Sequence, residues 1–243
     1  MKKKIFIGIG IFVGIILILI GVLVGKDLKQ ESNLKKELNE ISEMVSDPDG
    51  DFKEISKRLN TTVTTGDYQK IEKAAKKYFT DILDDLIDLV TVLNDERITN
   101  ILTVDNYVND GKEFLTTRKY IKDTKEKLIT GRDSYYELFT EEKVMTYLDG
   151  LTIDDYYRDF YRNEIIGDIE NEKNDKTVEK AINQIIDMLD DSEKIINFLV
   201  ENKNAWEVEG DTIVFDTNEL VDQYNNLLLE ADFIDGKDLT FSK

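Results

Sequence analysis

The chain contains no cysteine and no histidine. Without cysteine no disulfide can staple the fold, so stability must come from packing. Without histidine it lacks the commonest general base and the commonest zinc ligand. Ser-His-Asp, Cys-His and H-E-x-x-H chemistry are therefore excluded within this chain. Pro48 is the only proline and Trp206 the only tryptophan in 243 residues. So little proline, together with long apolar patterns of period 3.6, points to helices. Positive charge is also in short supply, with 32 Lys and Arg against 51 Asp and Glu. The bias to Lys, Asn, Ile and Asp, with few Arg and Ala, matches an AT-rich bacterial coding background.

The N-terminus is the exception to this polar character. After Met1-Lys2-Lys3-Lys4, residues 5–25 consist only of Ile, Phe, Val, Leu and Gly. As a helix at ~1.5 Å per residue they reach roughly 31 Å, the thickness of the hydrocarbon core of a bilayer. The lysines before this run orient the N-terminus to the cytoplasm and the rest of the chain to the other side. A cleaved signal peptide would have a shorter apolar core and an A-x-A-like site. This run contains no alanine, and Leu23 stands two residues before Gly25. An uncleaved anchor is expected. Lys2, Lys3, Lys4 and Lys26 are the only charges in the first 26 residues, so the net charge of −19 for the whole chain becomes −23 beyond them. That excess opposes nucleic acid and anionic headgroups and favours cationic partners.

Beyond the anchor, Leu34, Leu38, Ile41 and Val45 recur along 27–46 as one stripe of an amphipathic stalk helix. Asp47-Pro48-Asp49-Gly50 ends it. Phe52, Ile55 and Leu59 mark a short helix, and residues 60–66 a Thr-rich break. From 67 to about 94, Tyr68, Ile71, Ala75, Tyr78, Ile82, Leu86, Leu89 and Leu93 trace a core-facing stripe, which Phe79, Leu83, Ile87 and Val90 widen. Residues 105–130 are expected to form one helix carrying Phe114, Leu115, Ile121 and Leu128, closed by Gly131 as a C-cap. A shorter helical piece runs from 140 to 148. Thr152 with Asp155 reads as an N-cap pair ahead of Tyr156, Tyr157, Phe160, Tyr161 and Ile165. The polar stretch 167–175 is the expected internal boundary. A long helix over 177–202 follows. Trp206 and Val208 then alternate with glutamates before Glu209-Gly210-Asp211, and Ile213 and Phe215 alternate after it, which is a β-hairpin pattern. Asp216 with Glu219 is a capping-box start for a last helix to about 232.

The expected fold is mainly α, an N-terminal transmembrane helix followed by a helical-bundle ectodomain with one small β-hairpin near the C-terminus. The expected organisation is an anchor over 1–26, a stalk helix over 27–46, a helical domain over 51–166 and a helix-hairpin-helix unit over 176–243. The last two are expected to join as one domain.

Several features could carry function. Gly10, Gly14, Gly21 and Gly25 fall within about 60° of one another on an ideal helix. They form a groove in the anchor where another helix could approach closely. The stalk stripe lies roughly 140° away on the same wheel, so the stalk is expected to turn onto its own domain. Asp47, Asp49 and Asp51 alternate as calcium ligands do, but Phe52 and Arg58 stand where such a loop wants Gly and Glu. A turn explains the same letters, and no metal site or cofactor is expected. Tyr135, Tyr136, Tyr156, Tyr157 and Tyr161 with Arg158 are the candidate recognition surface, against the alternative that they rim a core. Adjacent acidic pairs such as Asp84-Asp85 and Asp190-Asp191 point about 100° apart on a helix, so no pair forms a carboxylate site by itself. Trp206 is expected to anchor the hairpin.

No catalytic residues emerge. The leading expectation is a membrane-anchored, extracytoplasmic, single-pass protein acting as a protein-binding or envelope-assembly module. Its partners would be the membrane through residues 5–25 and a protein or a second copy, with no nucleic acid and no small-molecule substrate. The rivals are an envelope hydrolase dependent on carboxylates or a cation, and a structural spacer or immunity-type inhibitor.

Overall fold

The computed structural model describes residues 29–46, 52–174 and 176–231. The expected anchor, with Gly10, Gly14, Gly21 and Gly25, and the expected turn at Asp47–Asp51 lie outside the described residues. The described chain is mainly helical, with one antiparallel hairpin near the C-terminal end. No helix among the described residues is long and apolar enough to cross a membrane.

The helices are α1 (Lys29–Ser46), α2 (Phe52–Leu59), α3 (Gly66–Leu93), α4 (Glu96–Asn100), α5 (Val104–Asp110), α6 (Leu115–Leu138), α7 (Glu141–Thr146), α8 (Asp155–Asn174), α9 (Thr177–Glu201) and α10 (Asn218–Glu230). Strands β1 (Trp206–Glu209) and β2 (Thr212–Phe215) lie between α9 and α10. The chain divides into two compact units. One gathers the described residues up to 90 with 130–181. The other gathers 91–129 with the described residues from 182 onward.

In the first unit the stripe of α3 is buried from Tyr68 through Ile71, Ala75, Tyr78, Ile82 and Leu86 to Leu89. Its expected widening is only partial: Phe79 is buried, but Ile87 is 46% exposed. Helix α1 is no free stalk, because Leu34, Leu38 and Ile41 are all buried. Helix α8 starts at Asp155, and its backbone capping position is Asp154 instead of Thr152, with the Tyr157 and Arg158 N–H groups donating to the Asp154 carbonyl. The same helix runs on through the polar stretch to Asn174.

The expected single helix over 105–130 is corrected in two places. Thr103 caps α5 by accepting from the Asn106 N–H, and Gly111, at φ 72°, closes it. The Asp110 carboxylate then accepts from the Thr116 and Thr117 N–H groups at 3.0 and 2.7 Å, which starts α6 afresh. At its other end α6 passes straight through Gly131 to Leu138. Gly131 is there for space: a Cβ at that position would sit 2.7 Å from Leu89 Cδ2. A glycine used for close approach and one used as a C-cap are the same letter in sequence.

In the second unit the hairpin pairs Trp206 with Phe215 and Val208 with Ile213 across Gly210-Asp211. Gly210 takes φ 62°, the left-handed region such a tight turn demands. Trp206, Ile213 and Phe215 are buried. Helix α10 is capped by Thr217, whose hydroxyl accepts from the Leu220 N–H at 3.3 Å, and not by Asp216 as expected.

Candidate functional site

The first unit is organised by a charged network that threads α1, α2 and α3. Gln30, in the first turn of α1, donates from Nε2 to Thr65 Oγ1 at 3.1 Å and accepts the Thr65 N–H at 3.2 Å. These two hydrogen bonds hold the start of α1 against the start of α3. Further along the same two helices, Lys76 Nζ sits 2.9 Å from Glu37 Oε1 and 2.8 Å from Glu72 Oε1. The two helices therefore run side by side in the same direction. Lys76 also donates to the carbonyls of Arg58 and Thr61 at 3.0 and 2.9 Å. Its side chain is 1% exposed and that of Glu72 is 0% exposed.

Glu72 in turn accepts from the Val63 and Thr64 N–H groups and from the Thr64 hydroxyl, the last at 2.6 Å. Burial pushes its carboxyl up. The Lys76 ammonium, the Thr64 hydroxyl and the Val63 N–H outweigh that and hold it below the ordinary 4.5. Arg58 joins from α2, donating from Nη2 to Glu40 at 2.6 Å, while its Nη1 faces Glu37 at 3.7 Å. Its guanidinium holds Glu40 below the usual carboxylate range.

An ammonium has three protons, and Lys76 meets four acceptors. Glu72 is similarly saturated. A proton-transfer catalyst needs an open partner position, and this pair offers none. The cluster is a clamp that docks α1 and the 60–65 loop on α3. The sequence reading passed over it. The signal was present, since Glu72 and Lys76 stand on the row that continues as Phe79 and Leu83, and Glu37 lies between Leu34 and Ile41 on the α1 stripe.

The aromatic candidates divide by environment. Tyr135 and Tyr161 are core residues, 2% and 0% exposed. Tyr161 donates to the Val144 carbonyl at 3.3 Å. Tyr135 stacks edge-on with Phe139 and with half-buried Tyr136, whose hydroxyl accepts the Glu179 N–H at the start of α9. Tyr156 and Tyr157 belong to another ring cluster, with Tyr157 5.0 Å and Phe160 6.0 Å from the buried Tyr68 ring. Tyr156 is 55% exposed and lies 5.2 Å from Tyr157. Arg158 follows, half-buried. The buried Tyr68 hydroxyl lies against that of Tyr156 but makes no hydrogen bond of ordinary geometry. Beside it, Lys70 bridges Asp67 at 2.7 Å and the Thr152 carbonyl at 2.5 Å, tying α3 to the approach of α8.

The aspartates of α3 are used structurally where they touch neighbours. Asp81 accepts from the Tyr147 hydroxyl at 2.6 Å and Asp85 from Ser134 Oγ at 2.9 Å. Burial, followed by the charges of Asp88, Asp81 and Asp84, pushes the Asp85 carboxyl up despite the Ser134 bond. Among the described residues no group of three or more acidic side chains stands together as a metal site.

The second unit centres on Trp206. Its indole N–H donates to the Leu199 carbonyl at 2.8 Å, and Lys112 Nζ lies 4.9 Å over its ring. Tyr107 and Phe114 stand 6.3 and 6.1 Å from it. Phe114 takes φ 47°, a conformation that costs a non-glycine residue roughly 1–2 kcal/mol, and is held there with its side chain fully buried. Tyr107 and Tyr224 share a hydrogen bond at 3.1 Å. Burial pushes both hydroxyls up, so the pair stays neutral. Phe215 and Tyr224 meet at 5.2 Å.

The chain matches no family model, no curated protein and no solved structure. Of the candidate recognition set, Tyr156 is left exposed, with Tyr157 and Arg158 half-buried beside it.

Proposed function

We propose that this protein is a single-pass membrane protein, bacterial in origin. Residues 5–25 form an uncleaved signal anchor with the N-terminus in the cytoplasm. The acidic helical domain stands outside and acts by binding another protein or by supporting envelope assembly, without catalysis. The observation that carries this reading is the run of 21 residues with no polar side chain, preceded by three lysines. Binding is supported by the strongly acidic character of the domain, 51 Asp and Glu against 32 Lys and Arg in the chain, which favours a cationic protein surface. The groove of Gly10, Gly14, Gly21 and Gly25 offers a second contact, to a partner helix or a second copy within the bilayer.

Crosslinking in intact cells, with identification of what co-purifies, tests the reading. A stoichiometric second protein or envelope component is expected. Recovery of the chain alone would remove the partner and leave self-association. Protease shaving of whole cells tests orientation separately: the domain should be cut along with a known surface protein, and its survival would place it inside.

A further inference from the structure

We infer that one end of the first unit, marked by Val63, Tyr156 and Tyr157, rests on the neutral headgroup layer of the same bilayer that the anchor crosses. This deepens the proposed function and depends on residues 5–25 being a membrane span.

Only residues 26–28 separate Gly25 from the start of α1 at Lys29. Four steps of fully extended chain reach at most about 14 Å, and the headgroup layer on each side occupies roughly 5–8 Å. The start of α1 must therefore lie within or just above that layer, whatever path the three residues take. Gln30 then fixes the start of α1 to Thr65 through two hydrogen bonds. Thr65 leads directly into α3, where the Tyr68 ring meets Tyr157 at 5.0 Å, and Tyr157 meets Tyr156 at 5.2 Å. Each link is short, so the same end of the unit faces the bilayer.

The exposure at that end fits such a neighbour. Val63 is 45% and Tyr156 55% exposed. Tyrosine favours the headgroup level, where its ring meets acyl chains and its hydroxyl meets water. The charges nearby are mixed. Lys29 and Arg158 are offset by Asp154 and Asp155, and Lys70 is occupied by Asp67 and the Thr152 carbonyl. With a strongly acidic chain behind it, this face suits zwitterionic headgroups and not an anionic surface.

The absence of cysteine makes a direct test simple. Single substitutions Ile15→Cys, Val63→Cys, Ile87→Cys and Tyr156→Cys would each carry an environment-sensitive fluorophore on the full chain in phosphatidylcholine vesicles. Nitroxide lipids, spin-labelled at the headgroup or deep in the acyl chain, serve as quenchers. Ile87 is exposed but roughly 28 Å along α3 from Tyr68. The label at 15 should lose most of its emission to the deep quencher, and labels at 63 and 156 to the headgroup quencher. The label at 87 should lose little to either. If 15 is quenched but 63 and 156 behave like 87, the inference is overturned while the anchor stands, and the tyrosine edge is left open to a protein. If 15 is not quenched, the anchor itself fails and the inference falls with it.

Discussion

Both units bury aromatic rings, and they differ in the polar groups they bury with them. One buries charge: Lys76, Glu72 and Glu37 are paired out of water, with Arg58 and two backbone carbonyls completing the set. The other buries aromatic rings around Trp206 and uses neutral hydrogen bonds to orient them. A buried ion pair adds little net stability over a well-packed apolar substitute, but it punishes any arrangement that separates its members. An aromatic centre gains stability from area and shape and tolerates small errors of register. The charged clamp thus selects one position of α1 on α3, while the aromatic centre supplies cohesion to the hairpin unit.

The largest effect should come from breaking the clamp on one side. Lys76→Met leaves Glu72 buried without a cation and Glu37 with only Arg58 at 3.7 Å, and should cost about 3–5 kcal/mol, read as a lower urea midpoint and faster hydrogen exchange in α1. A tolerated Lys76→Met would show that the contrast between the units is wrong. In the aromatic unit, Trp206→Phe keeps a ring but orphans the Leu199 carbonyl and loses volume, costing about 2 kcal/mol. Tyr224→Phe leaves the Tyr107 hydroxyl buried and alone, for a loss of about 1–2 kcal/mol by thermal unfolding.

The pH response should separate the units most clearly. Glu72 is held below its ordinary 4.5 in the fold, so its stabilisation is present above that value and is lost as pH falls through the folded pKa. Acid titration followed by hydrogen exchange should therefore loosen α1 and the start of α3 while Trp206 fluorescence is still native. Asp85 has the opposite sign. Its carboxyl is pushed up, so ionisation near neutral pH works against the fold. Asp85→Asn keeps an acceptor for Ser134 and should raise the thermal midpoint slightly at pH 7, with the gain vanishing in acid. A loss of stability at pH 7 would show that the carboxylate charge is used.

Much of the architecture was legible in the residues. The α3 stripe and the alternation on either side of Gly210 each follow from burying one face at a fixed period: the α3 stripe from Tyr68 to Leu93 is buried, and so are Trp206, Ile213 and Phe215, with Val208 half-buried. The misses share a cause. Ile87 continues the α3 pattern but meets water. Gly131 looked like a terminus and proved to be a place where Leu89 comes close. The helix expected over 105–130 broke because Asp110 and Gly111 together end one helix and start another. Of the candidate recognition set, Tyr135 and Tyr161 went to the core and Tyr156 to the surface, although all sit in similar aromatic and acidic surroundings in the chain.

Composition and order alone determined what this protein cannot do with histidine or cysteine, that residues 5–25 have no polar side chain, and which faces of its long helices must be apolar. Those conclusions need only local periodicity and the chemistry of single residues. Tertiary structure decided which charges were buried and which tyrosines were left outside. Glu72 and Lys76 face each other one turn apart on α3, but Glu37 and Arg58 come from α1 and α2 and join that pair only once those helices lie along α3. Whether a tyrosine ends in a core or on a surface depends on what arrives opposite it, and no local pattern carries that information.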